Sequence, residues 1–279
     1  MRRRFSQVDV FGTGPMTGNP VAVIHDSDGL STDDMLAITA WIDLSETTFL
    51  LPPTDPAADY HVRIFCPGRE LPFAGHPTLG TARAWLAAGG QPKTDGVVVQ
   101  ECGAGLVPVR RDEDRLAFAA PPLIRSGPVG ADELARRLDV LGLNEDDVVD
   151  AVWIDNGPNW LGIVLKSTEA VLSVSLPAGI HEDFDTGLIG FAADADDAAI
   201  EVRALFPDAN GIIREDPVTG SLNASVAQWL LGNGTLTAPY RARQGTAMGR
   251  RGDVWIDQAD GEIWVGGTAS VVVEGELDF

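Results

Sequence analysis

The chain has 279 residues, 44% of them hydrophobic, which is enough for one large or two medium domains with real cores. Its 41 acidic against 20 basic residues leave a net charge of −21, which argues against nucleic acid or an anionic membrane surface as partner, since both select basic patches. Two cysteines, Cys66 and Cys102, make neither a disulfide framework nor a structural zinc site, and His25, His61 and His181 show no metal-ligand spacing, so no metal is expected and a reducing cytoplasm is the default.

After Met1-Arg2-Arg3-Arg4 the chain enters an alternating strand, Phe5–Val10, instead of the apolar region of a signal peptide, and no segment approaches the length of a membrane span. A Gly-rich loop, Gly12 to Pro20, leads to a second strand, Val21–Ile24. Ser31 or Thr32 caps a helix with Asp33 and Asp34 in its first turn and an apolar stripe of Met35, Leu36, Ile38 and Trp41, ending near Asp43. Glu46 then falls at a helix-to-strand junction, where a side chain projects from a rigid scaffold. The strand Tyr60–Phe65 precedes a turn-rich loop, Pro67 to Gly80, that delivers His76 to the N-terminus of a helix reading from Thr78 to Leu86. Such a position offers free N–H groups and the positive end of the dipole to an anion, beside a side chain that moves protons near neutral pH.

Three short strands follow, Val97–Glu101, Leu106–Arg110 and Leu116–Ala119, and Pro121-Pro122 with Ser126-Gly127-Pro128 reads as a connection between domains. A helix at Asp132–Leu141 opens the second set: strands near Ala151–Ile154, Leu161–Leu165, Leu188–Phe191 and Ile200–Leu205, a helix Gly220–Leu231, and strands at Val254–Ile256, Ile263–Val265 and Val271–Leu277. Strands outnumber helices and many are joined by short turns, which favours antiparallel or mixed sheets over a doubly wound parallel one.

Laid on itself at an offset of 140, the chain matches Val62 with Val202, Arg63 with Arg203, Pro67 with Pro207, Pro77 with Pro217, Gly80 with Gly220 and Ala84 with Ala224. Those are six identities in 23 positions, where ordinary usage gives about one or two. Asn19 falls on Asn159 at the same offset. The expectation is a duplicated α/β unit whose halves are related by a pseudo-twofold. At that offset His76 aligns with Asp216 and Thr81 with Ser221, so Asp216-Pro217-Val218-Thr219-Gly220-Ser221 reads as the twin of the His76 loop, and two such units facing one another would enclose a cleft for a small carboxylate. Glu46 has Thr186 opposite it, an unmatched carboxylate suited to general acid–base work.

Asp9-Val10-Phe11, Gly18-Asn19-Pro20, Leu44-Ser45-Glu46-Thr47, Glu70 through Gly80, and Glu215 through Ser221 resemble the successive signatures of the PhzF family, the phenazine-biosynthesis-like proteins. The resemblance implies a mixed α/β (α+β) fold of the diaminopimelate-epimerase-like kind, with two pseudo-symmetric domains, each a β-sheet curled around a central helix. We place their boundaries at 1–122, completed by a C-terminal strand 268–279, and at 125–267. The resemblance further implies that Glu46 is the acid–base residue and that His76, Asp216 and Ser221 bind and polarise substrate; Asn19 and the amides at Gly75 and Gly220 are the further substrate-binding candidates. It implies cofactor-free isomerisation of a small carboxylate-bearing substrate in a homodimer, while no metal and a cytoplasmic setting are the expectations from composition. Ala74 and Asp216 stand about where related epimerases and racemases carry two cysteines, so two-thiol racemisation is not expected. A non-catalytic small-molecule binder on the same scaffold, or an epimerase with carboxylate bases, are the alternative readings.

Overall fold

The computed structural model describes residues 2–193, 197–208 and 210–279. The chain divides into two compact units, Met1–Ala119 with Gly266–Phe279, and Ala120–Val265. Among the described residues no helix is long and apolar enough to cross a membrane.

The first unit runs β1 (Arg2–Val10), β2 (Asn19–Ile24), α1 (Thr32–Ile42), β3 (Thr47–Leu51), β4 (Tyr60–Cys66), β5 (Arg69–Leu71), α2 (Gly75–Ala87), β6 (Val97–Cys102), β7 (Gly105–Asp112) and β8 (Arg115–Ala119). Ser31 starts α1 with a capping box: its hydroxyl accepts from the Asp34 N–H, and the Asp34 carboxylate accepts from the Ser31 N–H. Asp43, left-handed at φ 59°, ends it. Met35 and Ile38 of that helix pack on Ile24, Phe49 and Phe65, but Trp41 is 78% exposed and does not belong to the stripe the sequence suggested.

The strands of this unit pair β1–β2 antiparallel, β2–β3 parallel, β3–β4 antiparallel, β4–β6 parallel, and β6–β7 and β7–β8 antiparallel. The C-terminal strand closes the ring, pairing with β8 and running antiparallel to β1. Helix α2 packs against β1, β2, β3, β6, β7 and β8, and every residue from Gly75 to Ala82 is buried. A helix enclosed on all sides has no polar face to show, which explains its near-uniform apolar surface. Gly80 is required there, because a Cβ would run into the Val21 side chain.

The second unit runs β9 (Arg125–Pro128), α3 (Ala131–Leu141), β10 (Val148–Asp155), β11 (Leu161–Leu165), α4 (Thr168–Ser173), β12 (Thr186–Phe191), β13 (Ile200–Pro207), β14 (Ile213–Asp216), α5 (Gly220–Gly232), β15 (Tyr240–Gln244), β16 (Gly252–Ala259) and β17 (Glu262–Asp278), the last of which supplies residues to both units. Its pairings repeat the first: β10–β11 antiparallel, β11–β12 parallel, β12–β13 antiparallel, β13–β15 parallel and β15–β16 antiparallel. The central helix is α5, buried from Leu222 through Ala227. Helix α3 and α4 cover a core of Leu138, Val171, Phe184 and Leu188. Ser126-Gly127-Pro128, read from sequence as part of a connection, instead belongs to the strand β9, which pairs with β10.

The duplication is therefore structural, but its offset changes along the chain. Ala22 pairs with Thr47 and Gly162 with Gly187, an offset of 140. Past the fourth strand the register differs. Phe65 pairs with Glu70 and Ile64 with Leu71 in the first unit, whereas Leu205 pairs with Glu215 and Ala204 with Asp216 in the second. From Glu70 to Glu215 the offset is 145, and the helix starts, Gly75 and Gly220, keep it. The longer second hairpin absorbs the five extra residues. So His76 is the counterpart of Ser221, and Asp216 is the counterpart of Leu71; the alignment of His76 with Asp216 at offset 140 is corrected.

Candidate active site

Three expected residues come together in the first unit. Asn19 opens β2, Glu46 immediately precedes β3, and His76 is the second residue of α2. Because β2 and β3 are parallel neighbours and α2 lies against both, the three side chains converge at one end of the helix. The His76 Nε2 stands 3.4 Å from the Glu46 Oε2, and its Nδ1 stands 3.4 Å from the Asn19 amide nitrogen. His76 is buried and its side chain is 5% exposed, while 18% of the Glu46 side chain is open. Burial lowers the imidazole pKa to about 3; a bond to the Pro20 carbonyl acts more weakly the other way. The ring is therefore neutral at physiological pH, with one nitrogen a donor and the other an acceptor.

Gly75 begins α2 after Ala74, whose side chain gives no cap. The first-turn N–H groups thus keep the character of an anion site. His76 does not cap the helix. It sits inside the first turn and projects toward Glu46.

In the second unit, Asp216 ends β14 and Thr219 is the N-cap residue of α5. The Thr219 hydroxyl donates to Asp216 Oδ2 at 2.6 Å. Ser221, second in the helix like His76, accepts at Oγ from the Trp160 indole N–H at 3.1 Å, and its carbonyl accepts from the Asn156 amide at 3.0 Å. Upstream, the Asp155 carboxylate takes the N–H groups of Gly157 and Asn159, just as Asp9 takes those of Thr17 and Gly18 in the first unit. Each Asp pins the loop that touches its unit's central helix.

Trp160, Asn156, Thr219 and Gln244 were not among the residues singled out from sequence. Trp160 had a signal, since it follows Asn159, the repeat partner of Asn19. Gln244 had none, because its strand, β15, was not recognised. Two cavities lie elsewhere: one of about 880 Å³ beside Arg125, Trp153 and the start of α3, another of about 700 Å³ beside Asp9, Arg83 and Thr268. Neither is lined by Glu46, His76, Asp216 or Ser221. Among the described residues no group of three or more His, Cys, Asp or Glu is arranged to hold a metal ion.

A family model described as phenazine biosynthesis-like protein, PhzC-PhzF, matches residues 8–275. The chain belongs to this family. Trans-2,3-dihydro-3-hydroxyanthranilate isomerase of Pseudomonas fluorescens is 31% identical over 250 residues, 87% of this chain and 86% of that protein. Antisense-enhancing sequence 1 of Schizosaccharomyces pombe is 33% identical over 98% of this chain and 97% of its own length. Among solved structures, a predicted epimerase of Pseudomonas aeruginosa superposes with a TM-score of 0.80 at 27% identity, each chain covered to 99%. A probable proline racemase of Agrobacterium radiobacter, at 12% identity and a TM-score of 0.62 over 99% of this chain and 93% of its own, shares the fold alone. The PhzF chain is thus an isomerase with a diaminopimelate-epimerase-like fold, in which each pseudo-symmetric unit wraps a β-sheet around one central helix.

Proposed function

We propose that this PhzF-family isomerase moves a proton within a small carboxylate-bearing substrate without a cofactor, using Glu46 as the acid–base group. The observation that carries the reading is the Glu46–His76 pair at the uncapped start of α2: a partly open carboxyl beside a buried imidazole held neutral. A ring N–H of His76 is given to the Pro20 carbonyl, and in the tautomer that carries it on Nδ1 the Nε2 lone pair faces Glu46, 3.4 Å away. A protonated Glu46 complements that lone pair, and an ionised Glu46 is the base. The pair thereby stores one proton, which one carboxyl removes from one carbon and returns to another.

A single base suffices for such a shift. The position equivalent to Glu46 in the second unit is Thr186, fully buried and taken up by the Arg137 guanidinium at 2.7 Å, so no second carboxylate stands there. An epimerisation by two carboxylates would therefore have to use Asp216 as its second base, and isotopic labelling of the two substrate faces separates it from the single-base isomerisation proposed here. Asp216, Ser221 and the N–H groups at Gly220 carry the substrate-binding part of the proposal within their own unit. With the Trp160 N–H on its Oγ, the Ser221 hydroxyl is set to donate to an oxyanion. Asn19 and Gly75 carry the same part in the first unit.

Trans-2,3-dihydro-3-hydroxyanthranilate, named for the Pseudomonas fluorescens relative, is the first substrate to try. Proton NMR in heavy water follows turnover and solvent deuterium together. Wild type should turn it over with label at the receiving carbon, and Glu46→Gln should be slower by about 10²- to 10⁴-fold. An unchanged rate in that variant removes Glu46 from the mechanism; saturable binding with neither turnover nor exchange in wild type favours a binding protein.

A further inference from the structure

We propose that Gln244 is a positioning residue for Asp216, acting through the direction of the Thr219 hydroxyl. The inference rests on the reading of Asp216 as a substrate-binding group.

Gln244 ends β15 and is wholly buried. Its amide uses all of its ordinary hydrogen-bonding capacity on one turn. Nε2 donates to the Asp216 carbonyl at 3.0 Å and to the Thr219 Oγ1 at 3.0 Å, and Oε1 accepts from the Thr219 N–H at 3.0 Å and from the Asn223 amide at 2.8 Å. The two backbone partners fix which end of the amide is which: reversing it would set N–H against N–H and carbonyl against carbonyl. With an N–H of Gln244 on its lone pair, the Thr219 hydroxyl sends its own proton to Asp216 Oδ2, 2.6 Å away. The relay has one direction, from amide to hydroxyl to carboxylate, and it ends on the charged form of Asp216.

The scaffold holds this relay tightly. Val202 on β13 pairs with Gln244, and the next residue, Gly245, is left-handed at φ 91°, where a Cβ would stand 2.7 Å from the Pro217 carbonyl oxygen. The first unit shows what the fold alone requires. There Gln100, also fully buried, donates to the Thr78 hydroxyl in α2 at 3.0 Å, and Thr78 is the fourth residue of its helix as Asn223 is of α5. A buried glutamine gripping the central helix is common to both units. Only the second extends that grip through a hydroxyl to a carboxylate.

The test uses the full chain with ¹³C-labelled aspartate carboxyls, the Asp216 signal being assigned by its absence in Asp216→Asn. Gln244→Leu removes the amide, Gln244→Glu replaces the donor with an acceptor that draws the Thr219 proton away, and Thr219→Val removes the hydroxyl itself. Each should move the Asp216 titration midpoint up by about one pH unit, the effect of losing one hydrogen bond to a charged group. The double variant Gln244→Leu/Thr219→Val should move it no further than Thr219→Val alone. A midpoint that moves in Thr219→Val and stays put in both Gln244 variants overturns the proposal and leaves Gln244 a packing residue. If neither Gln244 variant folds, an unmoved midpoint in Thr219→Val breaks the relay and overturns it equally. Turnover of trans-2,3-dihydro-3-hydroxyanthranilate is read separately: full activity in Asp216→Asn alongside the expected midpoint shifts overturns the substrate-binding reading of Asp216 and leaves the relay standing.

Discussion

The duplicated fold contains its own control for what burial does to an ion pair. Arg63 on β4 grips Glu70 on β5 through Nε at 2.7 Å and Nη2 at 2.6 Å, and Arg203 on β13 grips Glu215 on β14 through Nε at 3.1 Å and Nη2 at 2.7 Å. The positions are equivalent and both pairs are bidentate. Their surroundings differ: the side chains of the first pair are 24% and 40% exposed, those of the second 3% and 3%. Arg203 also donates Nη1 to the carbonyls of Val171 and Val174, at the end of α4.

Arg203→Leu should therefore leave a carboxylate stranded in the core and two carbonyls short of a donor, at a cost of about 3–5 kcal/mol. Arg63→Leu breaks a pair that water already competes for, at a cost of about 0.2–1 kcal/mol. Urea unfolding followed by tryptophan fluorescence reads both, with the two units fitted as separate transitions where they separate. With a slope of about 2 kcal/mol per molar urea, Arg203→Leu should lower the affected midpoint by about 2 M and Arg63→Leu by less than about 0.5 M. The double variant Arg203→Met/Glu215→Leu should recover most of the loss, since it strands no charge. If Arg203→Leu costs no more than Arg63→Leu, or the double variant costs more than the single, stranded charge is not what makes the buried pair costly to break.

Two buried groups give opposite pH dependences. His76 has a folded pKa of about 3 against about 6.5 unfolded, so below pH 6.5 only the unfolded chain takes the proton; stability should fall on acidification by about 2 kcal/mol at pH 5, and His76→Asn should flatten that limb of a pH series of urea titrations. Glu201, pushed up to about 7 by burial, keeps its proton in the fold while the unfolded carboxyl loses its own above about 4.5; stability falls as pH rises from there through 7, and Glu201→Gln should gain about 3 kcal/mol at pH 8 but little at pH 4. A gain that is the same at both pH values would show that the charge is not the cause. Gly80→Ala, which in an open helix gains about 1 kcal/mol, should instead cost about 1–3 kcal/mol in thermal or urea unfolding because the new methyl meets Val21 and, 3.2 Å away, Val10.

Elements whose apolar residues alternate or recur at helical spacing were legible in the sequence, and so was the Glu46 junction. The hidden ones were hidden for identifiable reasons. In β15, Tyr240, Ala242 and Gln244 face inward while Arg241 and Arg243 face Asp197 and Asp253, so its outer face carries two arginines in place of neutral residues. Arg125-Ser126-Gly127-Pro128 carries turn residues and is a strand only because β10 offers it an edge. Gly266-Gly267 read as a break between strands, yet β17 passes through it unbroken; a Cβ on Gly266 would press into Ala117 and the Leu116 carbonyl, so close approach of the neighbouring strand requires glycine. The offset of 140 located the repeat correctly through β13 and failed after it, because identities of Gly and Pro carry little register information and an enlarged hairpin leaves no mark in composition.

With the register corrected, the two units differ where chemistry would enter. At the entry to the equivalent strands β3 and β12, one unit has Glu46 beside an imidazole and the other has Thr186 spent on Arg137. At the second residue of each central helix, one has His76 and the other Ser221. Each of these helix residues meets a side chain from the start of a neighbouring strand, Asn19 at the head of β2 facing His76 and Trp160 just before β11 donating to Ser221. The scaffold thus repeats the means of presenting a polar group at a helix N-terminus, and substitution at the presented positions divides the labour. The Glu46–His76 pair stands in one unit, and the Ser221 hydroxyl, with the Asp216 carboxylate at the end of the preceding strand, stands in the other. A two-base mechanism would need a second titratable group: Thr186 and Ser221 do not titrate, so an epimerisation would have to use the Asp216 carboxyl of the second unit, whereas the proposed single-base shift needs Glu46 alone.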